Sequence, residues 1–293
     1  LLGLSNSHLI LSVFLESYMF SAVALIVFLL LIQQEEKPLA HLVPAGLFSF
    51  GITMTNFIQT CILFFITTPR IKTIFKYVLS VLILAVFLAF IQDSLYPSSD
   101  PFYRPLSYSQ EQDYRFNLFE AQPQSVGGRA NALARSMLMF SVVAPQPLIL
   151  LEETGCSFPC SMVYYFDKDG VYRISSYEGF GKGLVFGWLI LLATAGWLFF
   201  KNFRVAPKAF ALSTALALTM LFNFTLHMNY GDDFMLYSPD WTYALVFFFG
   251  ISYESFSEKK WAQSMLLIFL LGLMINNLNL FRELLNAVLP FYG

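Results

Sequence analysis

Leu39-Ala-His-Leu-Val-Pro-Ala-Gly-Leu-Phe-Ser-Phe-Gly-Ile-Thr-Met-Thr-Asn-Phe-Ile-Gln-Thr-Cys-Ile-Leu-Phe-Phe-Ile-Thr-Thr68 is a single apolar run, and its reading decides the fold. It is long for one spanning helix, which needs roughly 20 apolar residues. Pro44, Gly46, Gly51 and the polar patch Thr53-Met-Thr-Asn56 interrupt it. One reading is a single tilted helix. The other is two short helices meeting at Thr55-Asn56, an irregular element that a membrane tolerates where it lines a cavity.

Apolar runs lie on both sides of this stretch. Leu9–Ile32 precedes it, Ile74–Ile91 follows, and Leu184–Phe200, Phe210–Leu226, Tyr243–Tyr253 and Met265–Leu280 complete the series. Of the 293 residues 57% are hydrophobic and only 12% charged, with a mean hydropathy of +0.63. Soluble domains carry about a quarter charged residues, so the medium around most of this chain is lipid. The sequence therefore specifies an all-α polytopic membrane protein of about seven to eight membrane segments, one of them broken. It divides into membrane segments at 1–91, a non-spanning region at 92–182 and a four-helix membrane segment at 183–293. The net charge of -2 excludes the basic footprint of a nucleic-acid-binding protein. Three cysteines and three histidines never fall at zinc-ligand spacing. Leu1-Leu-Gly-Leu-Ser5 has no basic n-region and does not read as a signal peptide; an apolar opening without Met suggests a fragment lacking an upstream portion.

Lys and Arg in short loops set orientation. Arg70, Lys72 and Lys76 form one cluster, Lys201, Arg204 and Lys208 a second, and Lys259 and Lys260 a third. Counting spans puts all three on the cytoplasmic side and the long region on the exoplasmic side. Lys37 joins the cytoplasmic set only if residues 39–68 fold as a broken hairpin. That reading also carries Glu16 and Asn56 to the exoplasmic end, and it is the one the charge rule favours.

In the exoplasmic region, Ser125-Val-Gly-Gly128 is placed to cap an amphipathic helix from Arg129 to Val143. Met162–Phe166 and Val171–Ile174 flank Asp167-Lys-Asp-Gly170, a hairpin signal. Arg129 and Arg135 are candidates to clamp a phosphate, against ordinary snorkelling at the interface. Cys156 and Cys160 are a candidate disulfide, which that compartment permits, or two free thiols.

The densest chemistry is His227-Met-Asn-Tyr-Gly-Asp-Asp-Phe-Met-Leu-Tyr-Ser-Pro-Asp-Trp241, between two apolar runs. His227 is a candidate base or ligand, and Asp232 and Asp233 are candidate acid/base groups or ligands for Mg²⁺ or Mn²⁺, which prefer oxygen. Tyr230, Tyr237 and Trp241 offer stacking surfaces for a substrate, although Tyr and Trp are enriched at every membrane interface. Glu16 is an ionisable group inside a run, which makes it a functional candidate or a headgroup-level residue.

Ser5-Asn-Ser-His-Leu-Ile-Leu-Ser-Val-Phe-Leu-Glu-Ser-Tyr18, Gly46-Leu-Phe-Ser-Phe-Gly-Ile-Thr-Met-Thr-Asn56 and Tyr230-Gly-Asp-Asp-Phe-Met-Leu-Tyr237 together resemble the GT-C type of polytopic glycosyltransferases. The similarity is to an uncharacterised bacterial branch related to protein mannosyltransferases and lipid A sugar transferases. It covers most of the chain through loose motifs, and only Glu16 matches a recurrent position of the family. The resemblance implies transfer of a sugar from a polyprenyl-phosphate carrier at the exoplasmic face of the bacterial inner membrane. It also implies that the principal catalytic carboxylate lies upstream of residue 1. The rival readings are a transporter or flippase and a non-catalytic assembly subunit. A transporter is disfavoured because no matched pair of broken segments marks an inverted repeat.

Overall fold

The computed structural model describes residues 1–12, 17–34, 38–68, 70–98, 112, 115–146, 148–150, 160–162, 164–166, 172–231 and 233–289. Helix α1 is Asn6–Leu11, α2 Tyr18–Gln33, α3 Leu39–Ile52, α4 Met54–Thr67 and α5 Ile71–Leu95. After the long region come α6 (Pro123–Arg135), α7 (Gly179–Val205), α8 (Pro207–Asn229), α9 (Pro239–Ser252) and α10 (Lys260–Val288). Prolines open α6, α8 and α9, where the missing N–H costs no intrahelical bond and the fixed φ suits the first turn. Strand β1 (Leu148–Leu150) pairs antiparallel with β2 (Cys160–Met162), and β3 (Tyr164–Phe166) with β4 (Tyr172–Ile174), Phe166 opposite Tyr172. The expected hairpin turn, Asp167–Gly170, lies outside the described residues.

Four helices are long and apolar enough to cross a membrane: Ile71–Leu95, Gly179–Lys201, Pro207–Asn229 and Lys260–Asn286. The expected seven to eight segments are not matched by that many helices of spanning length among the described residues. The physical reason is length: a 14-residue helix such as α3, α4 or α9 rises only about 21 Å. The hydrocarbon core is about 30 Å thick.

The run at 39–68 breaks at Thr53, two residues before the expected point. Thr53 is extended (φ -151°, ψ 146°), and its Oγ1 accepts from the Asn56 N–H at 3.2 Å, capping α4. The two halves fold back on each other, as one side chain proves. Tyr77 Oη lies 2.7 Å from Thr60 Oγ1, while a Cβ on Gly46 would sit 2.8 Å from Tyr77 Cζ. In one straight helix Gly46 and Thr60 would be about 21 Å apart. Glycine is required at 46 because the ring of Tyr77 occupies the space a side chain would fill. Phe50 and Phe57 pack across the hairpin with ring centroids 5.7 Å apart.

The hairpin tip meets the start of α2, since Asn56 Nδ2 donates to Ser21 Oγ at 2.8 Å. It therefore lies at the same end of the bundle as the last turn of α8, the first turn of α9 and the long region. The opposite end carries the links around Arg70 and Lys72, around Lys201 and Lys208, and around Lys259 and Lys260. The three basic clusters thus share one end. Between the ends lies an apolar core of Leu25, Phe28, Leu63, Phe64, Tyr77 and Leu216, with a second around Trp188, Phe249 and Leu273.

The helix expected at 129–143 begins six residues earlier, at Pro123, and contains Gly127 and Gly128 instead of using them as a cap. A π-turn at Ser136–Phe140 continues it, with the Ser141 N–H donating to Ser136 O at 3.0 Å. Asn277 of α10 ties this region down. Its Nδ2 donates to Leu4 O and Val142 O, and its Oδ1 accepts from the Ala144 N–H at 2.8 Å.

Candidate functional site

Helix α8 carries Thr219, Asn223 and His227 at four-residue spacing, one stripe on one face, and all three are buried. Helix α4 carries Asn56, Gln59 and Thr60 on one face, likewise buried. These stripes meet. Gln59 Nε2 is 3.4 Å from Asn223 Oδ1 and 3.5 Å from Asn56 Oδ1, and Tyr243 of α9 donates to Gln59 Oε1 at 3.2 Å. Asn223 Nδ2 donates to its own helix at Thr219 O and, at 3.3 Å, to Asp240 O. Asn223 stands 16 residues into α8, about 24 Å above Pro207. The network thus occupies the part of the bundle nearest the long region.

Above it lies the stretch 227–241. Tyr230 is extended and Gly231 takes φ +70°, a left-handed conformation that side chains disfavour. A Cβ on Gly231 would also meet Tyr237 Cε2 at 2.5 Å, so the close approach of that ring needs glycine as well. The turn lets Tyr237 stack on His227, with centroids 4.5 Å apart at 25°. Trp241 meets the same imidazole edge-on at 5.4 Å, and Tyr18 meets Tyr237 edge-on at 5.3 Å. His227 Nδ1 lies 3.2 Å from Tyr230 O.

Asp233, a candidate catalytic group from the sequence, is exposed and its carboxylate is used locally. Oδ1 accepts from the N–H groups of Met235 and Leu236 at 3.1 and 3.2 Å. That is an Asx turn opening the descent into α9. The acidic group that does enter the buried cluster is Asp240, only 4% exposed in the first turn of α9. Ser21 stands beside its side chain. Asp240 Oδ1, His227 Nε2 and Trp241 Nε1 are buried without hydrogen-bond partners among the described residues. Such orphans are uncommon in folded proteins and ask for an explanation.

Arg129 is not a snorkelling residue. It is fully buried, with Nε 3.1 Å from the carbonyls of His227 and Met228, and Nη2 donating to His227 O at 2.7 Å and to Gly231 O. Phe116 and Phe234 cover the guanidinium at 4.7 and 5.0 Å. It caps the C-terminus of α8, where carbonyls lack intrahelical partners and a cation suits the helix dipole. Arg135 is half-buried, donates to Ser175 O at 2.9 Å and lies over Phe140. Neither arginine is presented as a surface clamp.

Of the other sequence candidates, Asn56, His227, Tyr230, Tyr237 and Trp241 fall in or directly around the cluster. Glu16, Asp232 and Cys156 lie outside the described residues, so the proposed Cys156–Cys160 bridge does too. Among the described residues no group of three His, Cys, Asp or Glu side chains comes together to hold a metal. Tyr18, Ser21, Gln59, Asn223, Asp240 and Tyr243 belong to the cluster and were not singled out from the sequence. The polar stripes at helical spacing in α4 and α8 are the signal that could have found Gln59 and Asn223.

The fold is a helical bundle with four helices long and apolar enough to cross a membrane, consistent with an integral membrane protein, and with a buried polar cluster towards one end. No family model, no curated protein and no solved structure matches the chain.

Proposed function

We propose that the chain is part of an integral membrane glycosyltransferase. It moves a sugar from a polyprenyl-phosphate carrier to an acceptor at the exoplasmic face of a bacterial inner membrane. The observation that carries this reading is the trio of buried orphan atoms on Asp240, His227 and Trp241, set among the rings of Tyr18 and Tyr237. An acceptor oxygen, a ring nitrogen of either role and an N–H donor beside aromatic faces suit a hydroxyl-rich ligand. In this reading Asp240 Oδ1 takes the proton of the acceptor group as general base. Trp241 Nε1 and His227 Nε2 hold hydroxyls in place, and the aromatic rings flank the sugar. Asp240 is the described carboxylate that an Mg²⁺ or Mn²⁺ ion would meet here.

The positive-inside rule supports the exoplasmic placement, because the three basic clusters share the end away from the cluster. Together with the four long helices, α2, the α3–α4 hairpin and α9 make up the seven to eight membrane segments. A transporter or flippase would need a polar path through to the basic end. Below Thr60 the two stripes turn apolar at Leu63, Phe64 and Leu216 around Tyr77, whose ring is packed by Phe28, Phe57 and Phe64 at 5.3–5.8 Å, and the buried hydroxyls of Ser213 and Ser252 lie beyond that layer. That plug favours one-sided chemistry over transport. A purely structural subunit would scatter its polar groups, whereas these converge.

The test is sugar transfer from a panel of synthetic polyprenyl-phosphate sugars by the full-length protein in proteoliposomes. Transfer should fall by about a hundredfold in Asp240→Asn, the scale of a lost general base, while Asp233→Asn stays near wild type. Unchanged transfer in Asp240→Asn would remove the proposed base. No transfer from any donor in the panel by wild-type protein would overturn the glycosyltransferase reading itself.

A further inference from the structure

A second opening lies away from the Asp240 cluster, between the first turns of α7 and the last turns of α10. It is a cavity of about 800 Å³, within the range of small-ligand sites. Its floor is the backbone of Ala144 and Pro145 with Tyr177, whose hydroxyl donates to Val143 O at 2.8 Å. Asn276 closes the inner wall by donating to Ala144 O at 2.9 Å. The two helices cross closely here because glycines permit it. A Cβ on Gly181 would meet Asn276 Oδ1 at 3.0 Å, and one on Gly272 would meet Leu184 at 3.1 Å.

Membrane depth places this cavity at the headgroup level. Counting about 20 residues from the basic ends of the two helices, Lys201 in α7 and Lys260 in α10, reaches Gly181 and Leu280. Both line the cavity. On the lipid side stand Phe180, Ile275 and Leu278, all about half exposed or more. The rim is charged, with Glu178 at the start of α7 and Arg282 and Glu283 on α10, although α10 has no charged residue from 261 to 281. The α10 groups are linked: Arg282 Nη2 donates to Asn279 Oδ1 at 2.7 Å, and Asn279 Nδ2 donates to Glu283 Oε1 at 2.9 Å. One guanidinium and two carboxylates at headgroup depth, beside an apolar wall, match a lipid that carries both a phosphate and an amine. A purely anionic lipid would face the two carboxylates.

We propose that this cavity binds the headgroup of one aminophospholipid, with the phosphate on Arg282, the ammonium between Glu178 and Glu283, and an acyl chain along Phe180, Ile275 and Leu278. The site is separate from the Asp240 cluster and stands whatever that cluster does.

The test is native mass spectrometry of the full-length protein released from vesicles of phosphatidylethanolamine, phosphatidylglycerol or phosphatidylcholine. Wild-type protein should retain one phosphatidylethanolamine in preference to either other lipid. Arg282→Gln should reduce that retention about tenfold, the scale of a lost charge-assisted hydrogen bond to phosphate. Glu178→Gln, a change in the exposed segment before α7, should erase the preference over phosphatidylglycerol even if the α10 variant does not fold. Equal retention of the three lipids, a preference for phosphatidylglycerol, or a wild-type pattern in Glu178→Gln would each overturn the proposal.

Discussion

Arg129 and His227 are joined through backbone and not through side chains: the guanidinium donates to the His227 carbonyl at 2.7 Å while the imidazole turns away to stack on Tyr237. One buried cation thereby fixes the end of α8 and with it the ring on which Tyr237 and Trp241 converge. Phe116 reinforces the junction, its N–H donating to Asn229 O at 2.9 Å. The long region is thus tied to the stretch 227–241 by main-chain carbonyls.

Arg129→Ala should destabilise the protein strongly, because it leaves buried carbonyls unpaired at about 1–3 kcal/mol each. Arg129→Lys should recover only part of the loss, since an ammonium cannot reproduce the planar fork. Thermal unfolding in detergent, followed with the four tryptophans, measures this. Wild-type melting of Arg129→Ala would contradict the capping role.

Gly46→Ala should cost about 1–3 kcal/mol by overpacking against the Tyr77 ring. Gly51→Ala in the same helix should be close to neutral, because no atom lies within 4 Å of the added methyl. The pair makes an internal control for the hairpin. Equal melting temperatures for the two variants would argue against the folded-back arrangement of α3 and α4.

Asn56 and Ser21 should be energetically coupled. A double-mutant cycle of Asn56→Ala and Ser21→Ala should return about 0.6 kcal/mol, and no more than about 2, as for interhelical hydrogen bonds in membranes. The same cycle between Asn56 and Ser94, which bonds only to its own helix at Phe90 O, should return none.

The shared end of the basic clusters predicts a labelling pattern. In a background free of native cysteines, Lys72→Cys and Lys259→Cys should react with an impermeant maleimide only from the cytoplasmic side. Glu120→Cys should react only from the other. Reaction of all three from one side would sink the proposed topology.

The sequence alone carried the membrane class, the grouping of the basic links and the broken character of residues 39–68, since these depend on composition and on local breakers. Run lengths, charge positions and Pro, Gly and Thr act through the solvent and the neighbouring backbone, so they are legible without a fold. What only the tertiary structure decided is which polar groups meet. Asp233 and Asp240 look alike on the page, yet one ends a turn at the surface and the other is buried beside Ser21. Arg129 reads in the sequence as an interfacial cation, whereas the structure sets it against the end of α8, 98 positions along the chain. Such pairings rest on long-range packing of helices, in which a side chain's role is set by the orphan atom it happens to reach.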